Sequence, residues 1–281
     1  MVRLSPLRFS LEKVAQLLKS ASASRTVVVV GAGISVPSGI RDFTSPKSGL
    51  FDNLEQYNLP YPSAVFEIEY FKQNPLPFFQ VIKGMYPGVY HPNSAHWFLR
   101  LLNEHSLLER VYTQNIDGLE TVAGVPRNRL VEAHGSLATA TCLSCKKKYT
   151  SEDIKDAVFS DQVPSCTSCN GVIKPDVIFI GQVLPDSFML GVKDMSRANL
   201  VIVMGTSLEV HALADLVDRA KPSVPRLLIN HYRSGSFEHD SRHSDVIYEG
   251  DVIEGVEKLI KLLGWDHHLE QLQVDYKKAN S

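Results

Sequence analysis

All four cysteines of the chain fall in two Cys-x-x-Cys pairs, Cys142/Cys145 and Cys166/Cys169, with twenty residues between the pairs. Two such hairpins at this separation can set four thiolates at the corners of a tetrahedron around Zn2+. Two disulfides, or a redox pair, are the alternative readings. Four thiolates leave no open coordination position, so a zinc held here is structural rather than catalytic. Lys146, Lys147 and Lys148 follow the first pair and would partly offset its negative charge. A second group of residues could do chemistry on a phosphorylated ligand. Thr26 to Pro46 reads "TVVVVGAGISVPSGIRDFTSP". The Gly31-Ala32-Gly33 turn lets backbone N–H groups approach a pyrophosphate, helped by a helix N-terminus. A plain strand-to-helix turn is the alternative. Val36 stands where a third glycine is usual, and no acidic residue clearly serves the adenosine ribose. Asn230, closing "RLLIN", can serve a ribose hydroxyl instead.

Two further clusters carry polar side chains at strand ends. "TQNIDGLE" supplies Gln114, Asn115 and Asp117; the last two share a face, with Ile116 opposite, if the strand persists. An Asn/Asp turn into Gly118 is the alternative. His134, in "EAHGS", is the general-base candidate, because an imidazole titrates near neutrality; taken alone, such a histidine is more often structural. His91 and His96 are read as structural.

These residues need a frame. "SLEKVAQLLKSA" has a Ser cap and apolar residues at helical spacing. Val27 to Val30, "LERVYTQNID", "LVEAHGS", "PDVIFIG", "ANLVIVMGTS" and "VPRLLINHY" read as short strands that run into polar residues. "AHWFLRLLNE", "ADLVDRA" and "DVIEGVEKLIKLLGW" read as helices between and after them. Alternation of this kind predicts an α/β fold: a Rossmann-like parallel sheet with helices on both faces. Ligands of such sheets sit beyond the carboxyl ends of the strands, which gathers Gly31–Gly33, Gln114–Asp117, His134, Gly205–Ser207 and Asn230 at one edge. Residues 1–50, 91–136 and 175–265 are assigned to this domain. Residues 51–90 form a helical insert and 137–174 a zinc-binding insert, together a smaller lobe. The polar tail 266–281 is expected to be a loosely held helix or disordered.

The chain has 281 residues, 44% hydrophobic and 21% charged, which suits one large domain with a smaller insert. A net charge of -2 argues against nucleic acid as the main ligand. No apolar run approaches the roughly 18 residues of a membrane helix. No secretory signal follows Met1, and "MVRLSPLRFS" gives only a faint hint of a transit peptide.

"GAGISVPSGIRDF", "TQNIDGLE", "EAHG", the two Cys-x-x-Cys pairs, "KPDVIFIG", "GTSLEV" and "LLIN" occur in the order found in sirtuins, the NAD-dependent protein deacylases. The resemblance runs from Leu11 to Trp265 and is closest to the class I, mitochondrial deacetylase branch. It implies NAD as cofactor and one structural zinc. The pyrophosphate would rest on Gly31, Ala32 and Gly33. Gly205, Thr206, Ser207 and Asn230 would hold the adenosine half, with Val252 near the adenine. Asp117 and the Ile116 backbone would take the nicotinamide carboxamide beside Ile34, Asp42 and Phe43, with Gln114 nearby. Asn115 would position the nicotinamide ribose or a water. The acetyl oxygen of the substrate lysine would displace nicotinamide, and His134 would take a proton from a ribose hydroxyl. Lysine and O-acetyl-ADP-ribose would leave. An acetylated protein or peptide would add as a strand between Gly181-Gln182 and Leu208-Glu209-Val210. Ile178, Ile180 and Phe43 would line the lysine tunnel. "PFFQVIKGMY" lacks the Tyr-x-x-Arg of the desuccinylase branch, which favours acetyl or other neutral acyl groups. A monomer is expected, inside the cell and in mitochondria by resemblance, otherwise in cytoplasm or nucleus.

The chain departs from the family pattern at Arg41 and Thr44, where the family reads Pro and Arg. Thr cannot replace a bidentate cation, and losing a proline loosens a loop. Val36 and Gln182 stand where many members have Thr and Glu. Turnover is expected to be reduced. A mono-ADP-ribosyltransferase and a weakly catalytic NAD or acyl-lysine binding protein are the rival readings.

Overall fold

The computed structural model describes residues 10–20, 22–42, 49–50, 54, 57 and 59–280. Along the chain the helices are α1 (Leu11–Lys19), α2 (Ile68–Gln73), α3 (Leu76–Ile82), α4 (Ser94–Glu104), α5 (Leu119–Val122), α6 (Ser151–Phe159), α7 (Leu190–Arg197), α8 (His211–Asp218), α9 (Ser236–His239), α10 (Val252–Leu263) and α11 (Asp266–Ala279). The strands are β1 (Thr26–Val30), β2 (Leu108–Thr113), β3 (Leu130–Glu132), β4 (Gly135–Cys142), β5 (Lys148–Thr150), β6 (Ile173–Val177), β7 (Leu200–Met204), β8 (Arg226–Asn230) and β9 (Asp245–Glu249).

Six strands form one sheet in the order β3-β2-β1-β7-β8-β9, and every pairing in it is parallel. The chain winds outward from β1 in one direction and from β7 in the other, so the topological switch point lies between them. Both β1 and β7 are buried along their whole length, which is why they read as unbroken Val/Ile/Leu/Met runs. Alternation then divides their side chains. Val28, Val30, Ile202 and Met204 pack with α1, α4 and α10, while Val27, Val29, Val201 and Val203 pack with α7 and α8.

A second sheet, β5-β4-β6, is antiparallel and belongs to a separate apolar cluster with α2, α3 and α6. Its centre is aromatic: Phe71, Phe78, Phe79 and Phe179 meet mostly edge to face. The small sheet takes in β6, so "PDVIFIG" starts there and not in the parallel sheet. Its lysine explains the difference. Lys174 is buried and donates to the carbonyls of Pro175 and Val177, folding the segment back beneath the Phe179 ring. Two other expectations shift. "DVIYE" is a sixth parallel strand at the sheet edge. The polar tail is a 14-residue helix, α11, that lays Leu269, Leu272 and Tyr276 against the cluster containing Trp97 and Phe98.

Candidate functional site

The loops that follow β1 and β7 meet at the switch point through their glycines. A Cβ on Gly31 would lie 2.7 Å from the Thr206 Cβ, one on Gly33 2.7 Å from the Gly205 Cα, and one on Gly205 2.5 Å from the Ile34 nitrogen. The Gly33 N–H donates to the Gly205 carbonyl at 2.8 Å, and the Gly31 N–H to that of Met204 at 3.2 Å. The N–H groups of Ile34 and Ser35 turn back to Gly31 and Ala32. That leaves Ala32 as the amide of the turn with no acceptor among the described residues. The glycines therefore act first by letting two backbones touch. The chain continues into two 3-10 turns, Ala32–Ile34 and Val36–Ser38, rather than the α-helix expected here. Helical turns only three residues long align few peptide dipoles, so a phosphate here would rely on individual amides.

β2 stops at Thr113, one residue before the "QNID" cluster, yet Asn115 and Asp117 still converge. Their meeting point is Ser35, a residue the sequence reading passed over. The Ser35 hydroxyl donates to Asp117 Oδ2 at 2.9 Å and accepts from Asn115 Nδ2 at 3.2 Å. His96 Nε2 stands 3.4 Å from the same oxygen. Asn115 Nδ2 also reaches the Gly31 carbonyl at 3.2 Å, tying this cluster to the glycine turn. Asp117 Oδ1 accepts from the Leu119 N–H, the Asx turn that Gly118 completes at φ +77°. Gln114 donates to Thr206 Oγ1 at 3.1 Å and Asn230 to the Thr206 carbonyl at 3.2 Å, so residues 114, 206 and 230 form one network across the sheet edge.

Burial pushes the Asp117 carboxyl up, against the Leu119 and Ser35 hydrogen bonds that lower it. Glu120, fully buried and bonded to Thr113 Oγ1, is pushed up further by burial and by the neighbouring Asp117 charge. Glu120 was not foreseen either, since nothing in its spacing marks a buried carboxyl.

His134 follows β3 by one residue. Its Nδ1 lies 3.0 Å from the Gln114 carbonyl, which can only accept, so Nδ1 carries the proton. Nε2 is then the basic nitrogen, and it has no partner among the described residues. Burial lowers the pKa, with the Gln114 contact opposing, so the ring is neutral near pH 7. Gly135 fixes the approach: its φ is +72°, and a Cβ there would come within 2.0 Å of the Asp176 carbonyl oxygen.

The remaining predicted residues separate into two groups. Ile34, Ile116, Val252 and Leu208 are buried, Leu208 at φ +55°. Ile178 is half-buried, and Ile180, Gly181, Gln182, Ser207, Glu209 and Val210 are exposed. An isolated parallel bridge joins Ile180 to Glu67, and the Ile180 N–H donates to the Phe66 carbonyl. Gln182 Oε1 accepts from the Phe179 N–H at 2.8 Å, so this side chain closes its own turn. Phe43 and Thr44 lie outside the described residues.

The four thiols are unpaired by disulfides, and their sulfurs lie within 4.8 Å of one another. Cys142 and Cys169 are 3.4 Å apart, Cys145 and Cys166 3.5 Å, close to the roughly 3.8 Å edge of a ZnS4 tetrahedron. The two knuckles repeat one geometry: Lys146 N–H donates to the Cys142 carbonyl and Asn170 N–H to that of Cys166, both residues near φ +60°. Lys147 reaches across to Thr167 and Ser168 of the other knuckle. An all-thiolate set of this size fits one closed, structural zinc.

A model of the Sir2 family matches residues 31–212. The chain is 52% identical to the NAD-dependent protein deacetylase sirtuin-3 of Mus musculus, covering 94% of this chain and 79% of that one. It is 45% identical to the NAD-dependent deacetylase sir2A of Dictyostelium discoideum, covering 94% of this chain and 53% of that longer protein. For the NAD-dependent protein deacetylase sirtuin-2 of Danio rerio the identity is 41%, over 94% and 74%. The matched span runs from the glycine turn through both cysteine pairs to the start of α8, and identity at these levels over nearly the whole chain leaves one assignment: the chain belongs to the Sir2 family.

Proposed function

We propose that this chain removes acetyl groups from protein lysines at the expense of NAD. The observation that carries the reading is His134: a neutral imidazole with Nδ1–H held by the Gln114 carbonyl and Nε2 without a partner among the described residues, at the same sheet edge as the interlocked glycine turns. Bound NAD supplies the glycosidic bond that breaks and the ribose that receives the acetyl group. The residues of the chain bind, orient and move a proton. Ala32 N–H offers a donor to a phosphate, and Thr206, Ser207 and Asn230 surround the place for the adenosine half. Asp117, fixed by Ser35 and the Leu119 N–H, offers Oδ atoms to a carboxamide. Asn115, held by Ser35 and Gly31, orients the ribose or a water. His134 Nε2 accepts a hydroxyl proton.

Exposed Gln182 and Glu209 flank the proposed place of the peptide strand, and half-buried Ile178 the lysine tunnel. Residues 51–90 and 137–174 act as a lobe that carries this tunnel wall, with zinc as its clasp. Acetyl is the preferred acyl group, the protein works as a monomer, and a mitochondrial location follows from the resemblance to that branch. No helix among the described residues is long and apolar enough to cross a membrane. The test is release of nicotinamide and O-acetyl-ADP-ribose from an acetyl-lysine peptide, followed by mass analysis. No nicotinamide release at saturating NAD overturns the reading, and ADP-ribosylated protein in place of O-acetyl-ADP-ribose redirects it.

A further inference from the structure

The loop that carries Ser35 is clamped from outside by a strap, residues 90–93. The Tyr90 ring lies over Gly39, where a Cβ would come within 3.3 Å of it at φ +99°. The His91 carbonyl accepts from Ser38 Oγ at 2.7 Å. Asn93 Nδ2 donates to the Ile34 carbonyl at 2.7 Å and to Ser38 Oγ at 2.9 Å. These contacts join the strap to the loop, and the strap must itself be held. Its C-terminal end is held because Asn93 is the N-cap of α4. Its other half has no ladder partner. There Tyr90 packs against the apolar cluster of the small lobe, and His91 is met from the far end of the chain: Tyr276 Oη lies 2.9 Å from His91 Nδ1, with the two rings edge to face at 5.8 Å. Tyr276 is seated edge-on against Trp97 at 5.3 Å, on a helix anchored by Leu272. This helix lies beyond residues 31–212, the span the family model matches.

We propose that Tyr276 of the C-terminal helix is a positioning residue for the cofactor loop, acting through the strap: His91 on Ser38, and Asn93 on Ser38 and Ile34. The inference rests on the NAD-dependent reading above. Tyr276 touches neither cofactor nor substrate. It stiffens the strap, and the strap holds the loop in its binding conformation before NAD arrives. A loop that is ordered in advance loses less entropy on binding, so the effect falls on affinity rather than on the chemical step.

The experiment uses the full chain and Tyr276→Phe, which keeps the ring and removes only the hydroxyl. The KM for NAD is expected to rise roughly three- to tenfold, the range of one net hydrogen bond, with kcat changed by less than about twofold. Backbone amides of residues 32–40 are expected to exchange faster with deuterium while the melting temperature stays within a few degrees. A double-mutant cycle with His91→Phe separates coupling from general loosening: in the His91→Phe background Tyr276→Phe should have no further effect. Unchanged KM and exchange, or additive effects in the cycle, overturn the inference. The exchange measurement needs no turnover. A wild-type chain without NAD-dependent deacetylation would therefore defeat the functional reading and leave the coupling still testable.

Discussion

A carbonyl that can only accept decides which nitrogen of His134 is left unprotonated in the neutral ring. The proton sits on Nδ1 toward Gln114, and Nε2 has no partner among the described residues. His134→Ala is expected to lower kcat at least about a hundredfold with NAD binding retained, read by nicotinamide release. Burial lowers the His134 pKa, so the neutral ring, the form the proposed base role needs, survives to more acid conditions than an exposed imidazole allows. The acid limb of kcat should therefore lie below pH 6.5, and a limb above 6.5 would contradict the assignment. Gly135→Ala places a methyl against the Asp176 carbonyl at a left-handed φ. It should cost more than about 1 kcal/mol in stability, measured by urea unfolding, and reduce activity by moving His134. At this scale the sequence singles out His134, Asp117, Asn115 and the cysteines by residue type, and the fold gathers Asp117 and Asn115 on Ser35, sets His134 on the Gln114 carbonyl and brings the four sulfurs within 4.8 Å of one another. The sequence is silent on Ser35 and Glu120. A serine in a loop and a glutamate at the start of a short helix look ordinary until the fold places both beside Asp117 and closes off water.

At the scale of elements, the knuckles and the small sheet depend on one another. Cys142 ends β4, and Tyr149, at the centre of β5, donates its hydroxyl to Cys166. Cys142→Ser, or a strong chelator, should unfold the segment from β4 to β6 first. Hydrogen exchange would then show lost protection at residues 135–177 with β1, β7 and β8 still protected. Simultaneous loss of both sheets would refute this independence. In the loop after Gly39, Arg41→Pro with Thr44→Arg restores the family pattern and should raise kcat/KM; equal rates would show that these two departures do not limit turnover. The elements differed in how openly the sequence declared them. Strands buried on both faces, such as β1 and β7, are continuous apolar runs and were evident. β9 was missed because an edge strand with Asp and Glu at its ends lacks that signature. α11 was undervalued because only a narrow stripe, with Leu272 its one buried residue, carries its packing. That pairing needs Trp97 from a distant part of the chain.

Across the whole molecule, two buried groups pull the pH dependence of stability in opposite directions. Burial pushes His96 down to about 3, from an ordinary 6.5. Between those values the unfolded chain binds the extra proton, so this stabilisation is complete above 6.5 and is lost as pH falls, by at most about 1.4 kcal/mol per pH unit. Glu120 is raised, so the folded chain binds the extra proton; its contribution is complete below 4.5 and is lost as pH rises through the folded value. Stability should therefore fall below about pH 4.5 and again above about 6.5, with a plateau between, and Glu120→Gln should remove much of the alkaline decline. Unfolding midpoints across pH 3–9 check both limbs. The interlock of Gly31, Gly33 and Gly205 reaches furthest of all. The two halves of the sheet are joined there by backbone packed on backbone at Gly33 and Gly205, and by Gly31 packed on Gly205 and the Thr206 Cβ, with no space for a side chain on any of the three glycines. Such a joint has no tolerance setting. A library of all substitutions in this chain should show three columns, 31, 33 and 205, in which nothing survives, set among neighbours that accept many. Compensating pairs should be absent at 33 and 205, where every close atom is backbone, and trimming the Thr206 side chain should give position 31 little relief, because the Gly205 carbonyl still stands 2.9 Å away.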